Sequence, residues 1–366
     1  MKRKNKVVCL SLCIAFFSCF LCSCTGYTEI ENMDILTSHF VYKNGDKIQL
    51  GGGIANVRSL SDSMADKPVS YISAQADSLY EASKKLALSA DHKLFYGGIR
   101  ALVIGNEYAD SGVGEFLDYL NTLPDHRANV SVFTSSAPAR DIVEYKAVND
   151  FSGGFAAESI VSTLQSQNAM INCSLSKILE AKLQGVGFAL PDIEIADGVM
   201  GVNGYSVFDG EKKIFHIDAL SGAGLNYILS KKAREGYMAV VPDVGEFEVY
   251  CEMVKKDIDV FEGADGRLCT DISFVFDIVM SVPGDEYLTH EQTQQIKRNV
   301  SDIINKQIND ILNIAKEQGC DFLELYKAYQ TKKRARFYKL DWKKMISEMN
   351  ISTNVSIDKV KNKALR

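Results

Sequence analysis

Residues 289 to 319 constrain the fold more than any other stretch of this chain. Thr289 followed three positions later by Gln292 fits a capping box, in which both side chains accept from backbone N–H groups at a helix start. Gly319 suits the left-handed residue that stops a helix. Between these ends Ile296, Val300, Ile303, Ile304, Ile308, Ile311 and Ala315 recur at three- and four-residue spacing and make one apolar stripe. So long a helix with a single oily face has to lie on an apolar surface. Strands on either side can supply it. Phe247 to Val254 and Asp271 to Ser281 read as extended, and in the second Ile272, Phe274, Phe276, Ile278 and Met280 fall on one face. A second helix is predicted over Phe322 to Tyr329, and a last strand over Ile351 to Ile357 with Ile351, Thr353, Val355 and Ile357 alternating. The order predicts a C-terminal α+β domain, residues 193–366, with the long helix packed on an antiparallel sheet.

The preceding part is of another kind. Met33 to Leu50 forms two extended runs around Lys43-Asn44-Gly45-Asp46, a strong hairpin signal because Asn and Gly tolerate positive φ. A strand near Val69 and a helix over Ser78 to Leu88 follow. The run Ile99 to Ile104, entered through Gly97-Gly98 and left at Gly105, fits a short buried strand. A helix from Gly114 to Leu123, a strand from Asn129 to Thr134 and a helix from Ala139 to Tyr145 come next. Two further helices are expected at Ala156 to Leu164 and Ser174 to Leu183, with the chain leaving this region near Pro191. Strand and helix in alternation predict an N-terminal α/β domain, residues 24–192, and the chain as a whole reads as several subdomains of mixed β-sheets flanked by helices. From Gly198 the texture turns glycine-rich: Gly204 to Phe208, a turn at Asp209-Gly210 and Ile214 to Asp218 suggest a hairpin, and Leu225 to Ser230 a short helix.

Residues 1–23 stand apart. Lys2, Arg3, Lys4 and Lys6 precede an uncharged apolar run from Val7 to Leu21. At about 15 residues that run matches a signal-peptide core and falls short of the roughly 20 needed to span a bilayer. It ends in Leu21-Cys22-Ser23-Cys24, which resembles the lipobox of bacterial lipoproteins. The resemblance implies cleavage before Cys24 and acylation of that thiol; an ordinary signal peptide with a cysteine placed there by chance, or an uncleaved anchor, are the alternatives. Without the leader the chain carries 37 basic and 47 acidic residues, a net charge of −10 that disfavours nucleic acid as a partner. With 46% hydrophobic and 24% charged residues, the composition is that of a globular protein.

Motifs that would carry chemistry are scarce. His39, His92, His126, His216 and His290 include no pair four apart, so no HExxH-type zinc motif exists. There is no GxSxG elbow and no Walker A loop. Gly51-Gly52-Gly53 follows a strand but does not continue as GxGxxG into a helix. Cys173, Cys251, Cys269 and Cys320 lack CxxC spacing. An exported chain permits disulfides, and Cys251 facing Cys269 across neighbouring strands is one option; buried free thiols are favoured. Asp125-His126-Arg127 would suit an acid–base site, but at a helix end behind Pro124 such residues more often cap or face water. Lys332-Lys333-Arg334-Ala335-Arg336, flanked by Tyr329, Phe337, Tyr338 and Trp342, reads as a solvated charged face, a contact for anionic headgroups or a contact for an acidic partner.

Three ordered segments resemble the C-subunit family of spore germinant receptors. The first is Thr28 to Leu36 with the hairpin after it. The second runs from Leu79-Tyr-Glu-Ala82 through Lys93 to Ile104, then Ala109 to Gly112, Phe116 to Leu120 and Pro124 to Val130. The third joins Gly204 to Phe208, the long helix leading into Cys320-Asp321-Phe-Leu, and Asp341-Trp342 before the terminal strand. Departures from the family pattern are Thr25-Gly26-Tyr27, Gly98 and Asn121. The resemblance implies a non-enzymatic, lipid-anchored subunit on the outer leaflet of the inner spore membrane. Its expected partners are integral membrane receptor subunits of A and B type. It implies no catalytic residue, no metal and no cofactor, and transfers one site, the lipidated Cys24. A solute-binding lipoprotein of a transporter is the alternative, and an exported enzyme of unrecognised type ranks third.

Overall fold

The computed structural model describes residues 29–56, 68–123, 125–146, 152–241, 245–280 and 288–362. The lipobox and Cys24 lie outside them. Strands β1 (Met33–Asn44) and β2 (Lys47–Ala55) form the expected hairpin, closed at Gly45 with φ +61° and with Asn44 opposite Lys47. Strand β3 (Val69–Ala76) extends it antiparallel beside β2. Helix α1 (Leu79–Ser89) starts where the Ser78 hydroxyl accepts from the Glu81 N–H, and it buries Leu79, Ala82 and Leu86. A short β4 (Lys93–Phe95) runs parallel to the start of β1.

The centre of this sheet is parallel. Strand β5 (Ala101–Gly105) lies beside β1, β6 (Ser131–Ser135) beside β5, and β7 (Phe188–Ala196) beside β6. All five residues of β5 and all five of β6 are buried, so both faces are covered and the strands read as continuous runs. Helices α2 (Asn106–Ser111), α3 (Gly114–Thr122), α4 (Ala139–Val143), α5 (Gly153–Ser166) and α6 (Leu175–Gln184) supply the crossovers. The sheet then turns antiparallel through β8 (Val199–Asp209) and β9 (Lys212–Ile217), giving the order β3-β2-β1-β5-β6-β7-β8-β9 with β4 on β1. The division expected between residues 192 and 193 therefore falls inside β7, next to a bulge between Pro191 and Ile193 where the missing proline N–H does least harm. Gly51-Gly52-Gly53 lies mid-strand in β2. A Cβ on Gly51 would sit 2.2 Å from the Ile72 carbonyl oxygen, so the triplet serves close strand packing rather than a phosphate loop.

Helix α7 (Ala223–Leu229) leads into a four-stranded sheet of β10 (Arg234–Val241), β11 (Gly245–Glu262), β12 (Leu268–Met280) and β13 (Asn350–Asn362), in that order. The first three are antiparallel and β13 joins parallel to β12, so this sheet too is mixed. The reversal follows from the crossover: α8 (His290–Gln318) carries the chain back along the sheet before β13 begins. The Thr289–Gln292 capping box is present and Gly319 closes α8 in the left-handed conformation. Ile296, Val300, Ile304, Ile308, Ile311 and Ala315 are buried as the stripe predicts, joined by Leu312, while Ile303 is 38% exposed at its margin. Each buried side chain contributes about 2 kcal/mol. Polar pegs fix the register: Ser301 donates to the Val355 carbonyl at 3.0 Å and Lys297 to that of Asp358 at 2.7 Å. Helix α7 crosses α8 at Gly224, where a Cβ would lie 2.3 Å from the Gln307 carbonyl oxygen. After α8 come α9 (Leu325–Phe337) and α10 (Trp342–Ser347). The helix expected over 322–329 thus begins three residues later and continues through the basic run.

Candidate functional site

The two sheets meet where α8 ends. Cys320 points its thiol at the Phe208 carbonyl of β8, 3.4 Å away. Asp321 beside it is 3% exposed. Its Oδ1 accepts from the backbone N–H groups of Leu323 (3.2 Å) and Leu325 (3.0 Å), and its Oδ2 from the Tyr326 N–H (2.7 Å) and the Trp342 indole N–H (2.9 Å). One carboxylate thus caps α9 and ties α10 to it. Burial pushes the Asp321 carboxyl above its ordinary value, and the four donors pull against that shift. The cap position itself, Glu324, sits at φ +58° and makes no capping bond, so Asp321 does that work from three residues upstream. Trp342 packs 5.3 Å from Phe337 and 5.7 Å from Tyr329, centroid to centroid.

A second set of bonds crosses the same seam. Tyr205 of β8 donates to Asn226 of α7 at 2.6 Å and accepts from the Ile171 N–H at 3.0 Å. The Asn226 amide reaches the Ala169 carbonyl (2.6 Å) and Glu235 of β10 (3.1 Å). Burial raises the Glu235 carboxyl, with the Asn226 bond working the other way. Tyr227 and Tyr237 share a hydrogen bond at 2.5 Å, and Tyr237 donates on to Gln307 of α8 at 2.7 Å. Lys256 donates to the carbonyls of Ile228 and Ser230, both at 2.6 Å, and closes α7; burial lowers its ammonium to about 8. These perturbed groups face structural partners rather than a cleft.

Two hollows among the described residues have the shape of a ligand site. The enclosed one lies in the seam between Cys173, Glu180, Phe188, Leu229, Glu324 and Lys327 and measures about 60 Å³, room for a water or two and far below the roughly 300 Å³ at which small-molecule pockets begin. The other, about 400 Å³, is an open groove where β1, β2 and β3 meet α4. Three of its lining residues are engaged already: Gln49 donates to the Tyr71 hydroxyl at 2.7 Å, and the Arg140 guanidinium lies 4.2 Å above the Tyr71 ring and pairs with Glu144.

The residues singled out in the sequence disperse. Asp125 and Arg127 are exposed and His126 is half-buried, its imidazole lowered by burial. Cys173, Cys251, Cys269 and Cys320 are free thiols. The pairing entertained for Cys251 and Cys269 fails on register: Cys251 faces Ile278 and Cys269 faces Phe261, nine positions apart on β12 or about 30 Å. Burial pushes the Cys173, Cys251 and Cys320 thiols up to about 12, which leaves them inert. Among the described residues no group of three His, Cys, Asp or Glu side chains is placed to hold a metal ion, and no helix is long and apolar enough to cross a membrane. Of the basic run, Tyr329, Phe337 and Trp342 are core residues, while Tyr338 is exposed. His39 carries no motif, yet it is fully buried among Tyr96, Phe116 and Tyr119, and its Nδ1–H donates to the Gly51 carbonyl at 2.8 Å. Burial lowers its imidazole to about 3.

Known proteins resemble both halves of the chain. Residues 26–195 match the spore germination protein N-terminal domain, and residues 203–361 match the spore germination B3/GerAC-like C-terminal domain. The fold is similar to the crystal structure of the GerBC protein, with a TM-score of 0.56 at 12% identity over 88% of this chain and 96% of that one. A search of curated proteins finds no match. Both halves match in order along nearly the whole chain, and the protein belongs to the C-subunit family of spore germinant receptors.

Proposed function

We propose that this chain is a lipid-anchored, non-enzymatic subunit of a nutrient germinant receptor. Residues 1–23 direct export and are removed; the thiol of Cys24 carries the lipid; the folded body lies on the outer face of the inner spore membrane beside integral membrane subunits of A and B type. The observation that carries the reading is the pair of family matches, the first of which starts two residues after Cys24. The seam supports a scaffold rather than a catalyst, since its buried charged and polar groups are engaged in holding the two sheets together. The solute-binding alternative calls for two α/β lobes around a ligand cleft. The two sheets here differ in size and topology, and the hollow lined by α6, β7, α7 and α9 is about 60 Å³, so that alternative is not favoured. The test is co-purification of the tagged chain from detergent extracts, with deletion of the gene alongside. Multi-pass membrane proteins should follow the tag, and nutrient-triggered germination should fail in the deletion. Recovery of the chain alone, with germination intact, would overturn the reading. Intact-mass measurement should find acyl groups on Cys24, and Cys24→Ala should leave the chain unprocessed or free of membranes.

A further inference from the structure

Residues 325–344 hold eight Lys and Arg against one acidic residue, Asp341, in a chain that is acidic overall. Half of those cations are already engaged. Lys327 pairs with Glu180 and Glu324, Lys332 with Asp259, Arg336 with Glu262 and Lys343 with Asp209. The other four, Lys333, Arg334, Lys339 and Lys344, are exposed and have no ion pair among the described residues. Lys333 stands at a kink in α9 with φ −136° and ψ 45°. Two apolar groups share their surface. Tyr338 is 58% exposed and Leu183, near the end of α6, is 84% exposed. Gln330 joins them, its amide donating to Gln184 at 2.9 Å and to the Tyr338 hydroxyl at 3.3 Å.

We propose that this face of α9 and the end of α6 docks on the anionic headgroups of a lipid bilayer. Unpaired cations beside an exposed tyrosine and leucine match the chemistry of a bilayer interface: Lys and Arg are drawn to the negative surface, and Tyr sits with its ring in the apolar zone and its hydroxyl in water. A protein partner would be served by a concave pocket or a cluster of aromatic anchors, whereas Tyr329, Phe337 and Trp342 are turned into the core here and Tyr338 alone of the four is left outside among long cationic side chains. The inference rests on the lipid-anchored reading, which gives it its use. The lipid on Cys24 would hold one end of the chain to the bilayer and leave the orientation of the folded body open. A tether also raises the local concentration of the patch at the surface, so weak contacts suffice to orient the body.

Flotation of the chain from residue 25 onward, which lacks the lipidated cysteine, tests this directly. It should float with vesicles of phosphatidylcholine mixed with phosphatidylglycerol, stay behind with phosphatidylcholine alone, and be released by salt. Each charge removed should weaken partitioning about fivefold, so K333E/R334E/K339E should lose about a hundredfold or more. The charge-matched set K84E/R298E/K306E, exposed positions outside the face, should lose much less. Failure to float with either vesicle, or equal losses for the two sets, overturns the proposal. So does a third outcome, in which vesicles are ignored and K333E/R334E/K339E instead abolishes co-purification with integral membrane subunits, which would make the face an acidic-protein contact. Because the tested chain carries no lipid, none of these failures touches acylation of Cys24.

Discussion

The two sheets dispose of polar side chains in opposite ways. In the nine-stranded sheet both faces are covered at the centre, so a polar residue there has only the protein interior to supply a partner. Thr134 donates to Asp192 at 2.6 Å with the Ser206 hydroxyl 2.8 Å from the same Thr oxygen, Ser135 donates to the Ile193 carbonyl, and Thr37 to that of Gly53. In the four-stranded sheet one face lies on α8, and along residues 269–275 the other is open, with Asp271 exposed opposite Asp259. Polar residues there need only water. The same residue type is therefore structural in one sheet and expendable in the other, and the seam between the sheets has to satisfy the stricter rule.

Substitutions can break or sharpen that contrast. The largest effect belongs to the seam: Asp321→Ala should cost about 4 kcal/mol or more in denaturant unfolding, since it orphans three backbone N–H groups and the Trp342 indole. Next comes the covered face of the smaller sheet, where Ile304→Ala should cost about 3 kcal/mol while neighbouring Ile303→Ala costs less than about 1. In the larger sheet Asp192→Ala should cost about 2 kcal/mol by stranding Thr134 and Asn106. Its counterpart Asp271→Ala should stay within about 0.5 kcal/mol; equal losses at 192 and 271 would refute the contrast.

A pH series probes the larger sheet separately. The folded imidazole of His39 titrates near 3 and an unfolded one near 6.5. Between those values the unfolded chain binds a proton that the folded chain refuses, so stability falls on acidification through this window by about 1.4 kcal/mol per pH unit. His39→Gln, which keeps an N–H for the Gly51 carbonyl, should flatten the acid slope by up to that amount; an unchanged slope would show that another group governs it, with half-buried His126 the next to examine.

The legibility of the chain follows the same physics. Helix α8 is readable because its stripe, capping box and terminal glycine agree, and β5 because an uninterrupted apolar run has little else to be. Strand β10 is not: Arg234-Glu-Gly-Tyr lacks both alternation and β-branched residues, and it is extended because β11 pairs with it. Strand β11 was expected to stop at Val254 but runs on to Glu262, because Lys256 turns its ammonium to the end of α7 instead of to water. At the seam, Asp321 and Trp342 lie 21 positions apart, and no local pattern announces that they bond. The basic run has the same blind spot. Its neutralising partners Asp209, Asp259 and Glu262 lie far upstream, so the charges left free could be counted only after folding.

The parallel seat of β13 has a consequence for how copies of this chain are made. Residue 350 is the first of its thirteen, and β12 ends at 280, so the smaller sheet waits for nearly the whole polypeptide before it can close. A product cut short by premature termination or clipped within residues 350–362 leaves the edge of β12 unpaired and presents a long row of bare amides and carbonyls, an invitation to aggregate or be degraded. The sheet edge that β13 covers is thus guarded by residues made some seventy positions after the strand they protect.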